Sequence, residues 1–216
     1  MSRFAIAVST CERRDLTGLC LEAIDRCKGD AEVFIFDDAS TEYSHQWLEK
    51  WGYTYRISKR VGVGESARRR LAYVVERSTA EYILCLDNDA LVRPGFVEWT
   101  WTALDYVAGK YPGQPAIVSP YRSSGHDVVE SIPTGYGFYL RMKDIGGISM
   151  GMSRATALTM LSTIAQPWDE KWDYAVSGIT PNLFAPHRSF IEHAGRFGGG
   201  VNGESGDRGF GYWGNE

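Results

Sequence analysis

Three short acidic segments carry the residues able to do chemistry. In "EYILCLDNDALVRPGF", Asp87 and Asp89 flank Asn88 directly after the apolar run Tyr82–Leu86. In an extended strand, residues i and i+2 face the same side about 6.6 Å apart, so the two carboxylates could grip one divalent cation or divide a ribose and a cation between them. Mg²⁺ or Mn²⁺ held by one or two carboxylates keeps open positions that diphosphate oxygens can fill, and it neutralises charge growing on a departing diphosphate. A second pair, Asp37 and Asp38, ends the apolar stretch "VFIF", and a third cluster, Asp169, Glu170 and Asp173, lies in "QPWDEKWDYAVSG". One carboxylate placed beside an acceptor hydroxyl can take its proton as a general base. "DNDA" is equally good turn chemistry, so the motif on its own leaves a plain turn open.

The elements that must position these acids alternate in type. Phe4–Val8, Val33–Phe36, "YTYRI" and "YILCL" read as strands. Between them run a helical segment with Leu16, Leu19, Cys20, Ala23 and Ile24 at helical spacing, a second helix in "TEYSHQWLEKW" and a third in "GESARRRLAYVVER". Alternation of this kind predicts an α/β domain whose sheet is mainly parallel and binds ligands at the C-terminal strand ends, where the acids fall. The second half is less regular. "AIVSP", "VESIPT" and "YGFYLRM" read as short strands, "ATALTMLSTI" as a helix and "LFAPHRSFIEH" as a strand, before the glycine-dense end from Gly195 on.

Composition narrows the class. The chain has 216 residues, 44% of them hydrophobic, enough for one domain with a full core. A formal charge of −4 gives no global pull toward nucleic acid or an anionic membrane. The run "FAIAV" is too short for a signal-peptide core and no later run approaches the roughly 20 residues of a membrane span, so a cytoplasmic protein is expected. Cys11, Cys20, Cys27 and Cys85 lack metal-type spacing and read as reduced and structural.

The order "VSTCERRDLTGLCLEAI", "VFIFDDASTE", "VGVGESARRRLAYVV", "YILCLDNDALVRPGF" resembles the family-2 glycosyltransferases, inverting enzymes of the GT-A fold. The resemblance covers about the first 100 residues. It implies a donor-binding half over residues 1–100, an acceptor and catalytic half over 101–194, and a tail or lid over 195–216. The donor would be a nucleoside-diphosphate sugar, a UDP-sugar favoured. Thr10 and Glu12 would lie beside the nucleobase, and Asp37 and Asp38 would bond the base or ribose. Asp87 and Asn88 would contact the nucleotide, and Asp87, Asp89 and His193 would hold Mn²⁺ or Mg²⁺. An Asn usual in the family is replaced here by Arg68 or Arg69, and Arg68 is the candidate taken to face the nucleotide. In the second half, "KWDYAV" makes Asp173 the base, with Asp169 its competitor. Gly146 and Gly147 would let backbone approach the donor sugar. The acceptor, whether glycan, lipid, protein or modified nucleic-acid base, is left open.

Rival classes fit less well. A nucleotidyltransferase would carry a glycine- and arginine-rich loop after the first strand, and "STCERRD" has no glycine. A haloacid-dehalogenase phosphatase needs its D-x-D on the first strand and a Thr that "DNDAL" lacks. A sugar-nucleotide or glycan-binding module without turnover remains the non-enzyme alternative.

Overall fold

The computed structural model describes residues 3–134, 137–169 and 171–197. The expectation of a tail closing over the donor, and any role for Glu170, fall largely or wholly outside them. Strand β1 (Phe4–Thr10) leads to helix α1 (Arg14–Cys27), β2 (Glu32–Asp37) to α2 (His45–Glu49), and β3 (Tyr53–Arg56) to α3 (Val63–Arg77). Then come β4 (Tyr82–Asp87), β5 (Ala90–Val92), α4 (Phe96–Lys110), β6 (Ile117–Val118), β7 (Val128–Thr134), β8 (Gly137–Met142) and β9 (Ser149–Ser153). Helices α5 (Arg154–Thr163) and α6 (Trp172–Ser177) precede β10 (Leu183–Pro186) and β11 (Ile191–His193).

Nine of these strands form one sheet in the order β3-β2-β1-β4-β9-β6-β10-β8-β7. β3, β2, β1 and β4 run parallel, β9 runs antiparallel between β4 and β6, and β7–β8 is an antiparallel hairpin. β5 and β11 pair separately as a two-stranded ribbon. The alternation of strand side chains supplies two cores. Phe4, Ile6 and Val8 of β1 pack with Cys20, Leu21 and Ile24 of α1 on one face, and Ala5 and Ala7 pack with Ala67, Leu71 and Val74 of α3 on the other. The small residues of β1 thus lie on the α3 side. Ser44 caps α2, its hydroxyl accepting the Trp47 N–H.

Two elements depart from the pattern in the sequence. α4 is rich in Trp, Thr, Val and Tyr, residues of modest helix propensity. It is a helix because Phe96, Thr100, Ala103, Leu104 and Val107 form one buried stripe at helical spacing. "LFAPHRSFIEH", read as a single strand, is two: β10 joins the large sheet and β11 crosses to β5.

Gly151 shows how closely α4 lies on the sheet. A Cβ there would sit 2.6 Å from Thr100 Cγ2 and 3.1 Å from Val118 Cγ2. Gly151→Ala should therefore overpack this layer and destabilise by about 1–3 kcal/mol, lowering the melting temperature by several degrees. An unchanged thermal melt would mean that α4 has room to move away.

Candidate functional site

The acids at the strand ends meet three different fates. Asp37, at the end of β2, is fully buried. It accepts from Thr10 Oγ1 at 2.9 Å, pairs with Arg56 Nε, and has Ser40 Oγ and Tyr43 OH within reach. Arg56 also donates to the Tyr43 carbonyl at 2.9 Å, so Thr10 and Asp37 turn inward and tie the loop after β2 to the sheet. Asp38 points toward α3, where its Oδ1 accepts the Val61 N–H at 3.0 Å. Burial pushes its carboxyl above the ordinary range, against the pull of the Val61 and Gly62 amides.

Glu12 also ties loops together. Its Oε2 accepts the N–H groups of Thr41 and Glu42, each at 3.0 Å, and Oε1 pairs with Arg60. Glu12, Arg13 and Ala39 take left-handed backbone, with φ of 52°, 55° and 54°. Such conformations cost a non-glycine residue on the order of 1–3 kcal/mol and cluster where function demands a fixed shape.

At the end of β4 the acid pair divides. Asp87 Oδ1 lies 3.1 Å from Arg70 Nη1, and the same nitrogen donates to the Leu86 carbonyl at 2.6 Å. Desolvation, opposed by Arg70 and reinforced by Asp89, pushes the Asp87 carboxyl up. Asp89 Oδ2 accepts from Arg13 Nη1 at 2.9 Å and lies 3.4 Å from His193 Nε2. Burial alone would raise Asp89, but His193 and Arg13 outweigh it and hold the carboxyl below the usual range. The ribbon brings His193 here: His193 pairs in register with Ala90, and the Ala194 N–H donates to the Asp89 carbonyl at 2.9 Å. Asn88 faces back into the protein, accepting from Arg13 Nη2 at 2.8 Å and donating to Thr17 Oγ1 at 2.7 Å.

Asp89 and His193 thus form a carboxylate–imidazole pair, whose oxygen and nitrogen could both ligate a divalent cation. Asp87 is engaged by Arg70, and among the described residues no three His, Cys, Asp or Glu side chains converge into a metal-holding group. The expected three-ligand set of Asp87, Asp89 and His193 is therefore not assembled. Two of its members meet.

Asp173 stands in the first turn of α6. Gly147 lies against it: a Cβ on Gly147 would meet Trp172 Cζ2 at 2.8 Å and Asp173 Cβ at 3.7 Å. The next residue, Ile148, accepts the Asp87 N–H at 3.1 Å, which puts Asp173 and the acid pair at one end of the sheet. Burial raises the Asp173 carboxyl, while the Tyr174 and Gly147 amides and the His126 ring oppose it. Asp169 closes a local turn ahead of α6, its Oδ1 accepting the Lys171 N–H at 2.8 Å. A methyl on Gly64, in the first turn of α3, would overlap the Asp169 carbonyl, so α3 and the backbone of Trp168 and Asp169 are in direct contact.

A family model described as glycosyl transferase family 2 matches residues 5–140. The chain belongs to that family. No curated protein matches it in sequence. Among solved structures, residues 1–349 of S. aureus TarS superpose with a TM-score of 0.65 at 14% identity, covering 88% of this chain and 60% of that one. The same fragment in complex with UDP-GlcNAc gives 0.62 at 16% identity, covering 88% and 58%. The mannosyltransferase PcManGT from Pyrobaculum calidifontis, in complex with GDP-Man and Mn²⁺, gives 0.55 at 16% identity, covering 87% and 58%. At these identities the likeness shows a shared GT-A fold. The chain spans about 60% of the length of the TarS fragment.

Within this glycosyl transferase family 2 fold, three functional candidates escape the sequence pattern. Arg68 pairs with Glu65, as does Arg69, and together they hold the Glu65 carboxyl down at about 2. Arg70, the neighbour lying 1% exposed, is the one that reaches Asp87. A helical count sets Arg69 opposite the buried stripe of Ala67, Leu71, Val74 and Val75 and leaves Arg68 and Arg70 on its flanks, so contact alone separates those two. Arg13, directly ahead of α1, has no spacing or motif in the sequence that marks it out. His126, paired through Nδ1 with Asp144, comes within reach of Asp173 only through the fold.

The Asp37 pair gives a stability test. Arg56→Ala leaves a fully buried carboxylate without its cation, which should cost about 3–5 kcal/mol in urea unfolding, with Arg56→Lys recovering part of it. A loss below about 1 kcal/mol would mean that other donors hold Asp37 without Arg56.

Proposed function

We propose that this chain is a metal-dependent, inverting glycosyltransferase moving a sugar from a nucleoside-diphosphate sugar, a UDP-sugar favoured, to an acceptor hydroxyl. The observation that carries this reading is the meeting of Asp89 and His193 at the end of the sheet that also bears Asp173. The donor choice is supported by the TarS fragment with UDP-GlcNAc, and the use of Mn²⁺ by PcManGT with GDP-Man and Mn²⁺. Four free cysteines suit a reducing, cytoplasmic setting. Among the described residues no helix is long and apolar enough to cross a membrane.

In this reading Asp89 and His193 hold the metal. When bound, it neutralises charge on the departing diphosphate. Arg70 keeps Asp87 oriented beneath the nucleotide, and Asp38 lies at the mouth of α3 beside the same ligand. Asp173 accepts the proton of the acceptor hydroxyl as that oxygen attacks the anomeric carbon from the side opposite the leaving diphosphate. Attack from the opposite side inverts the configuration. The backbone of Gly146 and Gly147 lets the sugar approach between Asp173 and the acid pair.

Asp173→Asn should retain donor affinity and lose about 10²–10⁴-fold in turnover. A product of retained configuration would reject the mechanism, and metal-dependent nucleotide binding with no turnover on any acceptor would favour the binding module. Because a base works ionised and Asp173 is raised by burial, kcat should fall on acidification at a pH above the about 3.9 of an ordinary Asp. Asp173→Asn should remove that acid limb.

Asp89→Ala should abolish Mn²⁺-dependent stabilisation by UDP in a thermal shift read against the variant's own melt without ligand, which should itself be lowered because Arg13 and His193 lose their carboxylate. At 100 times the dissociation constant the wild-type shift corresponds to about 2.7 kcal/mol. UDP stabilisation of the wild type that persists unchanged in EDTA would overturn the metal assignment.

A further inference from the structure

Asp89 already has a cation. Arg13 reaches it with Nη1 at 2.9 Å and reaches Asn88 Oδ1 with Nη2 at 2.8 Å, so the guanidinium fork bridges two residues of the D-x-D segment. The oxygen it contacts, Asp89 Oδ2, is the one that faces His193 Nε2. The backbone of Gly195 closes another side, since a methyl there would overlap Asp89 Oδ2 and lie 3.2 Å from Arg13 Nη1. Arg13 sits in left-handed backbone at the head of the 14-residue helix α1, which fixes its Cα while the long side chain, 26% exposed, keeps a path to solvent. Asn88 is anchored independently of the arginine, its Nδ2 donating to Thr17 Oγ1 at 2.7 Å.

A metal coordinated to Asp89 Oδ2 and a guanidinium at 2.9 Å from the same oxygen would repel each other strongly in a site this poorly solvated. We infer that Arg13 is a displaceable counter-ion of the donor site: it neutralises Asp89 in the empty enzyme, yields that carboxylate when a divalent cation arrives with the donor, and then binds the donor diphosphate. The inference rests on the assignment of the metal to Asp89 and His193. The guanidinium is suited to both states, because its planar fork matches carboxylate and phosphate oxygens alike, and the N-terminus of α1 favours an anion nearby. The consequence is coupling. Metal alone must compete with Arg13, whereas metal and diphosphate together give Arg13 a new partner, so each ligand raises the affinity for the other.

The test is titration of the full chain with Mn²⁺, followed by calorimetry or by the EPR signal of free Mn²⁺, with and without UDP. Arg13→Gln should bind Mn²⁺ alone at least about tenfold more tightly than wild type, and should bind UDP in the presence of Mn²⁺ at least about tenfold less tightly. Arg13→Lys, which keeps the charge without the fork, should leave Mn²⁺ binding near wild type and weaken UDP, and it serves if the Gln variant does not fold. Unchanged or weaker binding of Mn²⁺ alone by Arg13→Gln, in a wild type whose UDP binding requires metal, overturns the role of Arg13 and leaves the metal assignment standing. Wild-type UDP binding indifferent to EDTA overturns both.

Discussion

Of the four carboxylates at or just past the C-terminal ends of β2 and β4, Asp38 takes the Val61 amide, and Asp37, Asp87 and Asp89 take positive partners. Three arginines from three elements provide them. Arg56 of β3 meets Asp37, Arg70 of α3 meets Asp87, and Arg13 at the head of α1 meets Asp89. Each element is thereby drawn to the same end of the sheet. A buried charge with its partner removed costs several kcal/mol, so these pairs fix where the loops can lie as well as which residues remain open to a ligand.

This arrangement separates acids that the sequence presents as equals. Asp37 is fully enclosed and acts on the loop after β2, holding Ser40 and Tyr43 in place. Glu12 acts on the same loop, through the amides of Thr41 and Glu42. Two adjacent left-handed residues, Glu12 and Arg13, make both contacts possible, because that backbone turn aims one side chain at the loop after β2 and the next at Asp89. Local strain is accepted there and offset by ion pairs and hydrogen bonds.

The second half of the chain is joined to the first through glycines. Gly64 lets α3 touch the backbone of Trp168 and Asp169, and Gly147 lets α6 bring Asp173 close to the strand that carries Asp87. Both contacts are too close for any side chain. The two contacts tie α3 and α6 to the same end of the sheet, so a change in the position of α6 is felt at both Asp173 and the acid pair.

The first half of the fold was legible from sequence because its signals are local. β1, α1, β2, α3 and β4 follow from hydrophobic spacing, and the acids mark the strand ends because a carboxylate stops an apolar run. α4 was hidden by aromatic and β-branched residues whose burial against β9 overrides propensity, and β11 by a chain that leaves one sheet and enters another within four residues. What the sequence determined by itself was the αβ alternation, the acidic end of the sheet and the resemblance that ordered motifs carry. The resemblance already groups His193 with Asp89, but only the tertiary structure decided that Arg70 rather than Arg68 meets Asp87 and that Arg13 occupies the D-x-D carboxylate. Those pairings span from 17 to 104 residues of chain, and no local pattern encodes them, since partners are selected by which charges the packed helices and the β5–β11 ribbon bring within a few ångströms of one another.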